Sequence, residues 1–375
     1  MSSFEKFFNE YYIWWKNIDK IILFLIFIMF TLGLFFSLVS TSIIASDKLN
    51  TNTYYFFIKH FIFILLGLSI LIFFSFLDQN KLLSLSKVLF IISLILLALV
   101  PLIGVEVKGS ARWLDLPIIP RFQPVELVKP FFIIIIASVL SLNNYKNIYI
   151  KYSLSLLIIL PVILFLISQP DIGQTLLIIL TWFSLIFVSG INLFFFFSFF
   201  SLIILILAYL VFFIPKFEYI QKRLLSFMDQ SSGNNYQSEK ASEAISNGGF
   251  FGKGIGEGEL NSRIPEAHTD YIVSVIAEEF GIIIVIAIML IFLIFAYKVL
   301  QKIYFEKDNK IKLILVGSIS LILIQTFIHV GVNIRVLPTT GMTLPFLSYG
   351  GSSILSTSIL SGIILNLTKR KIDKL

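Results

Sequence analysis

Ten apolar stretches, most of them about as long as a bilayer is thick, recur along this 375-residue chain and constrain its fold more than any motif does. They occupy residues 21–44, 57–77, 82–103, 127–142, 152–168, 172–189, 193–214, 271–299, 311–336 and 344–367. Hydrocarbon offers no partner to a backbone amide, so such runs fold as helices. The sequence therefore predicts an all-α polytopic membrane protein with about ten transmembrane helices, organised as a single membrane domain over 1–375. A composition that is 57% hydrophobic and only 14% charged excludes a soluble globule.

Charge orients these spans. Residues 1–20 mix Glu5, Glu10 and Asp19 with Lys6, Lys16 and Lys20, unlike the basic, acid-poor start of a signal peptide, and read as a cytoplasmic segment before an uncleaved anchor. Lys298, Lys302, Lys307, Lys310 and Lys312 crowd one short connection, and Lys369, Arg370, Lys371 and Lys374 fall in or beside the tail at 368–375. Lysine and arginine are retained inside, so both termini are expected in the cytoplasm. The outer face then receives 104–126 and a large loop at 215–270, between helices 7 and 8. The net charge of +7 is thus a topology signal, and nucleic acid is not an implied partner. Only six of the 29 basic residues are arginine, yet Arg112, Arg121, Arg223, Arg263 and Arg335 all fall outside, where guanidinium forks suit an anionic ligand.

The chain has no cysteine, and His60, His268 and His329 lack metal-ligand spacing, which excludes thiolate chemistry and argues against zinc. No organic cofactor is implied, and a divalent cation would rest on carboxylates and phosphates. No inverted repeat of interrupted helices points to a transporter.

Ionisable residues cluster at the predicted outer boundary. In Phe122-Gln123-Pro124-Val125-Glu126-Leu127-Val128-Lys129, Pro124 suits a helix start, and Glu126 and Lys129 share a face, so they either pair or line a polar cavity. Gln169-Pro170-Asp171-Ile172-Gly173-Gln174 puts Asp171 at the first turn of the next span. The long loop carries Arg223, Tyr236-Gln237, a short helical pattern through Ala241, Ala244 and Ile245, and glycines at 252, 254, 256 and 258 that read as a mobile cover over an outer cavity. It ends in Pro265-Glu266-Ala267-His268-Thr269-Asp270. Thr269 would cap the helix that follows and Asp270 would sit in its first turn, where an ionised carboxylate beside a sugar hydroxyl suits general-base catalysis. Glu278, eight residues on and about 12 Å deeper, would face the same cavity. Leu337-Pro338-Thr339-Thr340-Gly341 through Ser348-Tyr349-Gly350-Gly351-Ser352-Ser353 predicts irregular backbone at the outer boundary and close helix packing through the serines.

Together, GSARW, QPVELVK, QPDIGQ, YQ with the glycine-rich loop, PEAHTDY with AEEFG, and LPTTGMTLPFLSYGGSS resemble the SEDS family (shape, elongation, division and sporulation) over nearly the whole chain. Trp14-Trp15 and the wording of the last motif look more like the division-type than the elongation-type members. The resemblance implies a peptidoglycan glycosyltransferase that joins lipid II units into β-1,4 glycan with loss of undecaprenyl diphosphate. It implies Asp270 as the base, and Arg112, Trp113, Gln123, Glu126, Lys129, Asp171, Arg223, Tyr236, Gln237, His268, Glu278, Ser348 and Tyr349 as substrate-binding residues. It further implies Mg²⁺ or Mn²⁺ at the diphosphate, a class B penicillin-binding transpeptidase and other division membrane proteins as partners, and an active site on the outer face of the cytoplasmic membrane. Val125 departs from the family's serine, and Arg335 stands where a small residue is common. A flippase for the same lipid-linked precursor, an elongation-type polymerase and a non-catalytic membrane scaffold for division proteins are the competing readings.

Overall fold

The computed structural model describes residues 3–47, 54–107, 110–117, 120–142, 147–228, 236–260, 264 and 266–370. Gly109, Arg263, Pro265, Lys371 and Lys374, named above, lie outside the described residues. The elements in order are α1 (Ser3–Asn17), α2 (Lys20–Asp47), α3 (Tyr55–Phe76), α4 (Gln79–Ile103), β1 (Val105–Val107), β2 (Ser110–Trp113), α5 (Pro124–Leu140), α6 (Ile148–Ser168), α7 (Ile172–Val188) and α8 (Leu193–Phe213). There follow α9 (Glu218–Met228), α10 (Tyr236–Gly248), α11 (Ile272–Phe280), α12 (Ile282–Phe305), α13 (Asn309–Asn333) and α14 (Gly351–Leu367). Among the described residues, α2, α3, α4, α6, α8, α12 and α13 are long and apolar enough to cross a membrane. Helices α5, α7 and α14 have 17 residues each. The chain is thus a multi-pass, mainly helical membrane protein.

The centre is built from the less apolar helices. α14 packs on α3 and α5, and α13 on α7, α5 and α12. Lipid is as apolar as leucine, so helices associate by close packing, and small residues permit it. Gly362 of α14 lies against the Leu71 carbonyl of α3, and Gly67 of α3 against Ser358. At the other extreme, Val211 is the only buried residue of α8, which touches α7 through phenylalanines such as Phe196 and Phe200 on Phe183. The segment before the first span, read from sequence only as a cytoplasmic stretch, is helical: Trp14 of α1 donates to Ser75 Oγ at 3.2 Å and stacks on Phe76, while Asp19 pairs with Lys302 at 2.8 Å.

Three sequence expectations need correction. The apolar run at 271–299 is not one helix: it breaks at Gly281, whose φ of +84° ends α11 and starts α12. A broken helix exposes carbonyls and amides, and the glycine-rich loop satisfies them. Lys253 N donates to Glu278 O at 2.8 Å, Gly254 N to Glu279 O at 3.1 Å, and Ile282 N to Gly249 O at 3.0 Å. That loop is accordingly docked on the α11–α12 junction and does not lie free as a cover. The last span begins at Gly351, seven residues later than expected, because Pro345, Gly341 (φ +72°) and Phe346 (φ +68°) hold 334–350 out of helix. Finally, Thr269 does not cap α11: Thr269 and Asp270 lie in the turn before it, and Tyr271 is its cap residue.

Candidate active site

The β1–β2 hairpin, antiparallel and extended by a Leu114–Phe122 bridge, carries Arg112 toward the α6–α7 turn, and Trp113 ends β2 as a partly buried residue. Arg112 Nη2 donates to Pro170 O at 2.8 Å, and its Nε lies 3.7 Å from Asp171 Oδ2. Asp171 caps α7, its Oδ1 accepting from Gln174 N at 3.3 Å, and its Oδ2 accepts from Gln123 Nε2 at 3.1 Å. Gln123 in turn takes Ser352 of α14 as partner for its backbone amide, at 3.0 Å. The helix-cap reading of Asp171 therefore holds, and the same carboxylate ties the hairpin and the start of α5 to α7. Arg121, by contrast, makes an exposed pair with Asp115 at 2.9 Å.

Pro124 opens α5, as its fixed φ and missing N–H favour, and one turn on Glu126 and Lys129 pair at 2.7 Å. Both are almost wholly buried, at 3% and 1% exposure, so the pair survives only with further partners. Gln174 Nε2 donates to Glu126 Oε1 at 3.1 Å, and Lys129 Nζ donates to Gln325 Oε1 at 3.2 Å. Gln325 Nε2 continues to Thr343 O at 2.9 Å, and Thr343 shares a hydroxyl hydrogen bond with Ser353. Glu126 Oε2 and Gln174 Oε1 are buried with no protein partner, so the network keeps two acceptors that the protein does not use.

Asp270 is half-buried, with its amide donating to Glu266 O at 3.1 Å and its carbonyl accepting from Asn333 Nδ2 at 3.0 Å. Its carboxylate lies beside Gly341, where an added Cβ would sit 3.6 Å from Oδ2. Arg223 of α9 reaches the same 337–350 segment, Nη1 donating to Thr339 O at 3.3 Å. Tyr271 packs between these charges. Burial first, and then the Asp270 carboxylate, raise its hydroxyl well above the usual tyrosine range, against the opposing pull of Arg223, so it stays protonated.

The other expected residues divide. His268 and Tyr349 meet, with ring centroids 5.5 Å apart, and His60 of α3 stacks on the other side of Tyr349 at 5.6 Å. Ser348 is 2% exposed and donates to Thr269 O at 2.7 Å, so it braces the Asp270 turn. Glu278 does not share Asp270's cavity: its Oε1 accepts from Asn247 Nδ2 at 3.2 Å and Leu260 N at 3.0 Å, gripping the glycine-rich loop, and Glu279 takes Gly256 N the same way. Tyr236 and Gln237 open α10, and no described contact joins them to Asp270. Arg335 turns toward α10, 4.0 Å from Glu239. Gln174 and Gln325 were missed. Their signal was present, since an amide in the middle of an apolar run is a polar group that membrane interiors do not tolerate without a partner.

Known proteins share both sequence and architecture with this chain. A family model for the FtsW, RodA and SpoVE cell cycle proteins matches residues 19–372. A probable peptidoglycan glycosyltransferase FtsW from Aliivibrio salmonicida is 32% identical over 337 residues, covering 88% of this chain and 83% of its own. One from Buchnera aphidicola subsp. Acyrthosiphon pisum is 34% identical over 367 residues, covering 94% and 88%. A chain solved in a peptidoglycan synthase complex that coordinates polymerization and crosslinking superposes with a TM-score of 0.77 at 27% identity, over 94% of this chain and 97% of that one. The rod shape determining protein RodA of Thermus thermophilus gives 0.66 at 25% identity, over 94% and 96%. Matched along almost its whole length, and carrying in one structure the polar network and aspartate turn that its motifs predict, the chain belongs to the FtsW/RodA/SpoVE family of cell cycle proteins.

Proposed function

We propose that the chain polymerises lipid II at the outer face of the cytoplasmic membrane, as a division-type peptidoglycan glycosyltransferase with Asp270 as general base. The observation that carries this reading is a carboxylate on a braced turn, beside Gly341, with the Arg223 guanidinium held on the segment that carries that glycine. In the reaction, Asp270 takes the proton of the acceptor's 4-hydroxyl as that oxygen bonds to the donor's anomeric carbon. The bond from that carbon to the diphosphate oxygen breaks, and undecaprenyl diphosphate leaves. Arg223 supplies fixed positive charge where the leaving group gathers negative charge. Arg112, Gln123 and Asp171 form the wall on the hairpin side, and Glu126 with Lys129 its floor. Ten crossings, by the seven long helices and the three of 17 residues, would put both termini on one side and all these loops on the other, and the lysines after α12 and α14 make the termini's side the inner one.

The described residues contain no group of three or more histidine or carboxylate side chains that would cage a metal ion. A Mg²⁺ or Mn²⁺ ion at the diphosphate would therefore be held chiefly by phosphate oxygens, and no step is routed through it. Coordinated crosslinking in the structural neighbour supports a transpeptidase as the membrane partner.

The test is polymerisation of labelled lipid II by the purified protein with its transpeptidase, comparing wild type with Asp270→Ala. Glycan from the wild type and none from the folded variant is expected. Equal activity would remove Asp270 as base, and movement of lipid II between leaflets without polymer would replace the enzyme by a transporter.

A further inference from the structure

The turn bearing Asp270 has an unusual support. Three successive carbonyls, those of His268, Thr269 and Asp270, each accept a hydrogen bond from a distant element: Tyr349 N at 3.0 Å, Ser348 Oγ at 2.7 Å and Asn333 Nδ2 at 3.0 Å. Two of the donors come from the 337–350 segment, but the one that holds Asp270 itself comes from the last turn of α13.

Asn333 is wholly buried and uses its full hydrogen-bonding capacity. Its amide nitrogen donates to Asp270 O and, at 2.8 Å, to His329 O, while its oxygen accepts from Ser274 N at 3.1 Å and Ser274 Oγ at 2.8 Å. This pattern fixes the orientation of the amide, because the flipped form would set its oxygen against two carbonyls. Asn333 also continues a stripe. Gln325, His329 and Asn333, four residues apart on α13, hold in turn Thr343 O, Met342 O and Asp270 O. One face of one helix thus sets the spacing between the aspartate turn and the segment that carries Gly341 and Thr339.

We propose that Asn333 is the positioning residue for Asp270: its side-chain amide fixes the aspartate's peptide on α13, so that the carboxylate is held at the acceptor hydroxyl. With its amide bonded to Glu266 O and its carbonyl to Asn333, Asp270 retains only side-chain torsions. A base whose main chain is fixed loses little entropy on reaching the reactive geometry, and a shift of about 1 Å in such a group costs about 100-fold. The inference rests on Asp270 acting as the base.

The decisive substitution is Asn333→Asp, which preserves shape and the acceptor for Ser274 but removes both N–H donors. Asn333→Ala, which introduces no charge, serves as the second variant, and Ser274→Ala, which removes only the hydroxyl bond of the same network, as the structural control. Rates of lipid II polymerisation are measured per folded protein, below the thermal midpoints of all variants. Both Asn333 variants are expected to lower kcat by about 30-fold with KM within about twofold of wild type, whereas Ser274→Ala lowers the thermal midpoint and leaves kcat unchanged. A folded Asn333 variant with wild-type kcat, or a Ser274→Ala variant that loses kcat equally, overturns the proposal while Asp270→Ala remains inactive. Activity in Asp270→Ala would instead overturn the base assignment, and the positioning role with it.

Discussion

Lys129 lies in the middle of apolar sequence with an ammonium that has lost its water, and what keeps it there is two partners: Glu126 one turn earlier on α5, and Gln325 across on α13. Removing one member of such a pair strands the other charge, which costs about 3–5 kcal/mol, whereas replacing both by apolar groups of similar volume is far milder. Lys129→Ala is therefore expected to lower the thermal midpoint much more than Glu126→Leu combined with Lys129→Met, and equal losses in thermal unfolding of the purified variants would show that the pair is not the buried element it looks to be. Arg335 offers the opposite case. Helix α13 ends in a Schellman turn, Val336 N donating to Gly331 O at 2.8 Å and Arg335 N to Val332 O at 3.2 Å, and Arg335 fills its left-handed position at φ +57°, where glycine is the usual residue. Its side chain gains only a loose pair with the half-exposed Glu239. Arg335→Gly should thus stabilise the fold by about 1 kcal/mol or leave it unchanged. A clear drop in thermal midpoint would show that the guanidinium contributes more than its geometry explains.

At the level of elements, the break between α11 and α12 depends on a loop that the chain supplies about thirty residues earlier. Gly252 has φ +81°, and a Cβ there would run into the Glu279 carbonyl. Gly252→Ala should therefore release the 249–260 loop from the junction, seen as faster hydrogen exchange and protease cleavage within it, while the rest of the bundle keeps its protection. The same break explains what could be read from sequence and what could not. Helices α3, α4, α6 and α8 begin and end within a few residues of their apolar runs, because lipid alone enforces that match. Nothing local marks Gly281 as a break, since Phe280 and Ile282 continue the apolar pattern and the partners of the exposed backbone come from elsewhere. Glu278 was misread for a related reason: helical spacing from Asp270 was applied to residues that are not yet helical, and the group that meets Glu278 is a loop amide far away in sequence. Asp270, Arg112, Asp171 and the Glu126–Lys129 pair were legible because charges at a membrane boundary carry their own signal. Gln325 stood out as an amide in apolar sequence, but its role and that of Asn333 were not legible, because they follow from the backbone groups opposite these side chains.

For the molecule as a whole, the site exists only if four connections share one side of the membrane: the β1–β2 hairpin, the α6–α7 turn, the segment from α8 to α12, and 334–350. The contacts already join them, through Arg112 to Asp171, Gly173 against Thr340, Arg223 to Thr339 and Asn333 to Asp270. What these contacts require of the membrane is that α5 and α7 cross it fully, although 17 residues span only about 25 Å against a hydrocarbon core of about 30 Å. Both helices are largely buried among longer neighbours, so their ends meet protein and polar cavity where lipid would otherwise be. Because the chain has no cysteine, single introduced cysteines report sidedness without background. Asp115 and Glu257, both exposed, are separated by α5, α6, α7 and α8, and Lys307 follows α12. Asp115→Cys and Glu257→Cys should both react with a membrane-impermeant maleimide added to intact cells, and Lys307→Cys only after permeabilisation. If Asp115→Cys and Glu257→Cys label from opposite sides, an odd number of those four helices crosses, and the hairpin carrying Arg112 cannot share a cavity with Asp270.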